Sequence, residues 1–214
     1  MSEEKKDKST NYTEVIIALL WVIYVLQFIF FEQFGTMFAT SPNHLFTSDF
    51  YTIITAIFFH GSLLHLLSNS IALFIFGKIL EKHIGSQIVL VFLLGGIFAN
   101  IISHLFSFYL GDIFSSWGAS GAIATIILLS ILSEPFHRVF YVIPIFVLGW
   151  LSIYGDISGL VRDDTINQFA HLGGYLGSFL LLFLIEKSKL DKIKKGFLIN
   201  IFLLMSLAFV LYLV

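Results

Sequence analysis

The chain has 214 residues, of which 57% are hydrophobic and 12% charged, with a mean hydropathy of +0.93 and a formal net charge of −2. A soluble domain carries roughly a quarter charged residues, so this chain cannot cover a water-facing surface and its solvent must be largely lipid. It has no cysteine, which excludes a disulfide framework, a thiol nucleophile and a cysteine metal site.

Residues 1–12 read as a polar tail of mixed charge (Glu3, Glu4, Lys5, Lys6, Asp7, Lys8). The tail lacks the Arg-rich, acid-poor character of a transit peptide and is longer and more acidic than a signal n-region, so the apolar run that follows is expected to be a retained helix. A membrane helix needs roughly 20 apolar residues. Seven candidate spans follow in order, near 13–31, 62–80, 87–109, 117–133, 138–154, 170–185 and 196–214. The predicted fold class is all-α, a polytopic membrane helix bundle.

The connections carry the orientation signal. Lys5, Lys6 and Lys8 precede the first span; Lys78 and Lys82 lie near the second connection, Arg138 in the fourth, and Lys187, Lys189, Lys192, Lys194 and Lys195 in the sixth. Of the 12 basic residues, only Arg162 falls on the other side. The positive-inside rule then puts the N-terminus in the cytoplasm and the C-terminus outside. The first external connection, residues 32–61, holds Phe34, Phe38, Phe46, Phe50, Tyr51, Phe58 and Phe59 and no basic residue. A loop so long and apolar is expected to lie partly in the membrane interface.

Polar groups at bilayer depth need a structural or functional reason. On these boundaries Glu14 and Glu81 fall near helix ends and no Asp or Glu falls mid-span, which speaks against a proton-coupled transporter and against an aspartyl protease. No His-Glu-x-x-His signature is present, the intramembrane histidines are spread over several helices (His60 and His65 at the second span, His104 in the third, His171 in the sixth), and no metal site or cofactor is expected. In the second span His65 and Asn69 are four apart and share a face; His60 and Gly61-Ser62 precede them. Either the pair links helices, or it joins the Ser120 N–H in holding an oxyanion. Gly118-Ala119-Ser120-Gly121 opens the fourth span. It is either a small-residue packing seam or a nucleophile at a helix start with a free backbone N–H. His171 opens the sixth span, with Gly174 and Ser178 on its face. Both helices run from outside to inside, so Ser120 and His171 lie at similar depth, where an imidazole can take the proton of a hydroxyl.

Taken together, His60-x4-His65-x3-Asn69, Gly118-Ala119-Ser120-Gly121, Ala170-His171-x2-Gly174 and Gly77-x3-Glu81-x3-Gly85-Ser86 resemble the rhomboid family of intramembrane serine proteases over about residues 13–185. The resemblance implies a six-helix catalytic core over 13–185, followed over 186–214 by a basic cytoplasmic linker and a seventh transmembrane helix. It implies a Ser120–His171 dyad without a third acid, an oxyanion site from His65, Asn69 and the Ser120 backbone, and a short fourth helix at the bundle centre. His60, Gly118, Gly121, Gly174 and Glu81 are its structural motif residues. Many members have Trp-Arg where this chain has Tyr51-Thr52, and some have an aromatic residue where it has Ala124. No motif maps onto a substrate gate.

The implied function is that of a serine endopeptidase hydrolysing peptide bonds in or near transmembrane segments. Its partners would be transmembrane protein substrates and the lipid bilayer, with no nucleic acid, in a prokaryotic plasma membrane. The alternative is a catalytically inactive relative that binds transmembrane helices.

Overall fold

A computed structural model describes residues 11–30, 37–111, 115–160, 168–185 and 187–213. Lys5, Lys6, Lys8, Phe34 and Arg162, which entered the orientation and loop arguments, lie outside the described residues. The long helices are α1 (Tyr12–Phe30), α2 (Leu63–Ile84), α3 (Gln87–Leu110), α4 (Ser120–Ser133), α5 (Ile145–Gly159), α6 (Gln168–Leu180) and α7 (Lys187–Leu213). Helices α1, α2 and α3 are long and apolar enough to cross a membrane. A two-stranded hairpin, β1 (Arg138–Val139) with β2 (Ile143–Pro144), joins α4 to α5. The protein is a helical bundle of membrane type.

Helix α4 is the centre. Every residue from Gly121 to Ser133 is buried, which is the signature of a helix apolar on all sides. Its 14 residues rise about 21 Å, against a hydrocarbon core of about 30 Å. Lipid supplies no hydrophobic drive between helices, so packing and interhelical hydrogen bonds must hold them. The hydroxyls of α4 supply these bonds. Thr125 Oγ1 donates to Gly174 O of α6 at 2.7 Å, and Ser130 Oγ lies 2.8 Å from Phe76 O of α2, beside a π-turn at Leu73–Gly77. Asn200 of α7 donates through Nδ2 to Ile131 O at 2.9 Å and accepts from Trp150 Nε1 of α5 at 2.8 Å. The C-terminal helix is thereby tied to α4 and α5.

At the N-terminal end of α1, Glu81 caps the helix. Its carboxylate accepts from Tyr12 N at 2.7 Å and Thr13 N at 3.2 Å, two of the helix-start donors with no partner in their own helix. Lys78 pairs with Glu14 at 3.2 Å and Glu81 at 3.7 Å. Lys192 of α7 pairs with Glu134 beyond α4.

Two boundaries differ from the sequence expectation in ways that matter. The fifth span, expected at 138–154, is the helix Ile145–Gly159. Phe140 and Tyr141 adopt positive φ (51° and 63°) at the hairpin turn, and Pro144, with ψ 137°, stands extended before the helix. Hydropathy runs unbroken through Phe140-Tyr141-Val142-Ile143 into the helix, so it could not place the start. The shift brings Asp156, which lay beyond the expected span, into the last turn of α5; no Asp or Glu was expected mid-span, and this one lies near a helix end. The seventh helix, expected from 196, begins at Lys187 and runs through the lysine cluster.

Glu81→Ala leaves two N–H groups of α1 and the Lys78 ammonium short of a partner. A loss of about 1–2 kcal/mol in stability is expected, read as a lower thermal unfolding midpoint in detergent; Glu81→Gln, which keeps one acceptor, should lose less.

Candidate active site

Ser120 is placed by the segment before it. Residues 115–118 run extended along the loop that follows α1. Thr40 and Ser116 exchange both backbone hydrogen bonds, at 2.9 and 2.8 Å, and Gly118 N donates to Ala56 O at 2.8 Å. The Trp117 indole lies on Gly61, where an added Cβ would stand 2.7 Å from Nε1. Gly118 has φ +133°, open to glycine only, and an added Cβ there would meet His65 Cε1 at 2.6 Å. The chain then turns into α4 at Ser120, whose backbone N–H is among the helix-start donors without an intrahelical acceptor.

The loop that braces this segment is itself pinned. Its short helical turns, Pro42–Phe46 and Ser48–Phe58, lie on α3. Asn100 Nδ2 donates to Ile53 O at 2.7 Å. Thr40 Oγ1 meets His104 Nε2 at 2.8 Å, and Thr52 Oγ1 meets His44 Nδ1 at 2.9 Å and donates to Asp49 O at 2.7 Å. This chain anchors its loop, around Tyr51-Thr52, through the buried Thr40 and Thr52 hydroxyls and two histidines.

Helices α4 and α6, which carry Ser120 and His171, meet at a close seam. Gly174 lies against the Gly121 carbonyl, and an added Cβ on it would also meet Ala124 Cβ at 3.0 Å. An added Cβ on Gly121 would stand 3.2 Å from Ala170 O. The residues adjoining Ser120 and His171 are therefore in direct contact. Ala124 sits where a larger side chain would separate the two helices.

His171 has a partner the sequence did not suggest. Its Nδ1 lies 2.7 Å from Asp156 Oδ1, and Tyr175 O–H donates to Asp156 Oδ2 at 2.6 Å. The His171 and Asp156 side chains are 16% and 14% exposed. The expected base without an acid partner is thus corrected: a carboxylate of α5 stands on its far nitrogen. Tyr175, one turn after His171, bonds that carboxylate, while Trp150 is turned away to Asn200. The signal that could have found Asp156 is its rarity as a carboxylate beside an apolar run; the misplaced span boundary hid it.

The second-helix residues form one cluster. Ser62 caps α2, accepting from His65 N at 3.1 Å. Asn69 Nδ2 lies 2.9 Å from His60 Nε2, and His60 Nδ1 lies 3.3 Å from Phe58 O. The tautomer that satisfies both contacts carries its proton on Nδ1. Gln27 of α1 holds the His60 backbone from both sides, at 2.9 and 3.2 Å. The His60 ring meets His65 edge-on with centroids 5.0 Å apart. His65 is thereby held over Gly118, two residues before Ser120. One Asn69 amide hydrogen is taken by His60, which leaves the other to point elsewhere. No cluster of three or more potential metal ligands occurs among the described residues.

A bundle with a hydroxyl at the start of its buried central helix, and an imidazole beside it, belongs to the class of polytopic membrane proteins with an internal polar site. The chain belongs to the rhomboid family: the Rhomboid domain matches residues 47–188. It is 32% identical over 151 residues to "Rhomboid-like protein 11, chloroplastic" of Arabidopsis thaliana, covering 64% of this chain and 53% of that protein. It is 28% identical over 173 residues to "RHOMBOID-like protein 12, mitochondrial" of the same plant, covering 71% and 52%. It is 28% identical over 146 residues to "Putative rhomboid protease YdcA" of Bacillus subtilis (strain 168), covering 66% and 70%. The chain spans about half the length of the two plant proteins. These relatives come from chloroplast, mitochondrion and bacterium, so they do not support the expectation of a prokaryotic plasma membrane; a membrane location stands.

The α4–α6 seam has no room for a side chain at Gly174, because its near neighbour is backbone. Gly174→Ala is expected to destabilise the protein by about 1–3 kcal/mol, read by thermal unfolding in detergent. Gly155→Ala is the control: nothing lies within 4 Å of the added Cβ in α5, so that variant should be neutral or stabilising by up to about 1 kcal/mol.

Proposed function

We propose that the protein is an intramembrane serine endopeptidase, with Ser120 as nucleophile and His171 as general base. Its helices are read as a six-helix core followed by a seventh transmembrane helix, with the N-terminus cytoplasmic. The observation that supports the reading is the backbone contact of Gly121 with Ala170 and Gly174, which joins α4 to α6 next to Ser120 and one residue from His171. Family membership adds weight, since rhomboids are generally serine proteases of the membrane.

In this reading His171 Nε2 takes the proton of Ser120 Oγ as that oxygen attacks the scissile carbonyl. The proton passes to the leaving amine, and water then hydrolyses the acyl-enzyme. The negative oxygen is held by the Ser120 N–H, His65 and the free amide hydrogen of Asn69. The packing of His65 over Gly118 and the bond from Asn69 to His60 support donors set in place before substrate arrives, which is what makes such donors effective. Substrates are single transmembrane segments of other proteins. A helix in lipid keeps its carbonyls in its own hydrogen bonds, so segments that unwind readily near the outer surface are favoured.

A fluorescent fluorophosphonate tests the proposal on detergent-solubilised protein. Wild type is expected to label, and Ser120→Ala and His171→Ala are not. His65→Ala and Asn69→Ala should cleave a transmembrane substrate with kcat lower by about 10²–10³-fold. Folded wild type that neither labels nor cleaves would overturn the reading and favour a non-catalytic helix-binding relative.

A further inference from the structure

We propose that Asp156 is a positioning residue for His171, so that the reacting pair works with a carboxylate behind it; this rests on the protease reading above. The helix dipole makes a carboxylate unwelcome where Asp156 sits, in the last turn of α5, because the C-terminal end of a helix carries partial negative charge. Burial adds to that cost unless the charge is hydrogen-bonded. Both carboxylate oxygens are indeed used: Oδ1 by His171 Nδ1 at 2.7 Å, Oδ2 by the Tyr175 hydroxyl at 2.6 Å. His171 and Tyr175 are four apart on α6 and so present one face to α5. The two donors hold the carboxylate between them.

The consequence for the base is specific. A neutral imidazole has one N–H, and an acceptor at Nδ1 assigns that hydrogen to Nδ1. The Nε2 lone pair is then the one available to Ser120 Oγ. When Nε2 takes the serine proton, the ring becomes a cation with its Nδ1–H still on the carboxylate. Asp156 stays ionised and stabilises that charge; no second proton moves. Tyr175 fixes the direction of the carboxylate by occupying its other oxygen. On the α5 side, Asp156 is the group that orients the His171 ring.

Steady-state cleavage of a transmembrane substrate by wild type, Asp156→Asn and Tyr175→Phe tests this, together with ¹⁵N NMR of the histidine rings in a Ser120→Ala background. Asparagine can accept from Nδ1–H through Oδ1 and face Tyr175 with its amide, so it keeps the shape and removes the charge. Asp156→Asn should lower kcat by about 10²–10⁴-fold with KM changed by less than about twofold, and Tyr175→Phe should lower kcat in the same sense but less. The NMR spectrum should show His171 with its hydrogen on Nδ1. Equal kcat in wild type and Asp156→Asn, or a fall confined to KM, would overturn the proposal while leaving the protease reading intact. So would a His171 ring protonated on Nε2 in the Ser120→Ala protein, a result that does not depend on any Asp156 variant folding. Wild type that neither cleaves nor labels would remove the protease reading and this role with it.

Discussion

Gly174 rests on the carbonyl of Gly121, and the rest of the site depends on that contact. Two helix backbones meet with no side chain between them, and Ala99 of α3 and Ala124 of α4 close in around the same point. Lipid gives apolar surfaces no reason to leave it for one another, so a membrane bundle gains its order from close packing and from hydrogen bonds that close packing permits. Thr125 makes use of that nearness in its bond to Gly174 O. Ser120 adjoins Gly121 and His171 lies one turn before Gly174, so the same approach bears on both. A methyl group at this seam would therefore act on both stability and geometry.

A second constraint comes from the outer side. The extended segment before Ser120 belongs to no long helix, and irregular backbone at membrane depth must be satisfied by protein. The loop between α1 and α2 does this through Thr40, Ala56 and Gly61, and α3 holds the loop in turn through Asn100 and His104. Ser120 is thus positioned by a chain of hydrogen bonds that begins on the preceding helix, α3, and passes through the loop between α1 and α2. The aromatic loop is a brace, and its exposed rings at Phe46 and Phe50 face outward, where an interfacial loop would meet lipid.

The histidines divide the remaining work by their partners. His60, fully buried, holds Asn69 and is held by Gln27 on α1. His104 anchors the loop. His65 lies over Gly118, two residues before Ser120. His171 alone has a carboxylate. A sequence presents these four side chains as equivalents; their surroundings give each one different partners and a different task.

Much was legible without coordinates. Composition required lipid as solvent, hydropathy located the helices to within a few residues in most cases, and the spacing of His65 with Asn69 and of His171 with Gly174 followed from the helical period alone. Gly118-Ala119-Ser120-Gly121 marked a helix start because glycine and serine break the apolar run. Asp156 was not legible. Its identity is local, but its significance depends on where α5 begins, which the hairpin and Pro144 decide, and on which face of α6 lies opposite. Likewise Thr52, His44 and Gln27 carry no motif; they matter because folding brings them to groups 8 to 33 residues away. The sequence by itself determined the medium, the helices and the residues able to react, since these follow from hydrophobicity, period and functional group. Only the tertiary structure decided which carboxylate meets which imidazole, because a hydrogen bond needs two groups within about 3 Å and that distance is set by packing.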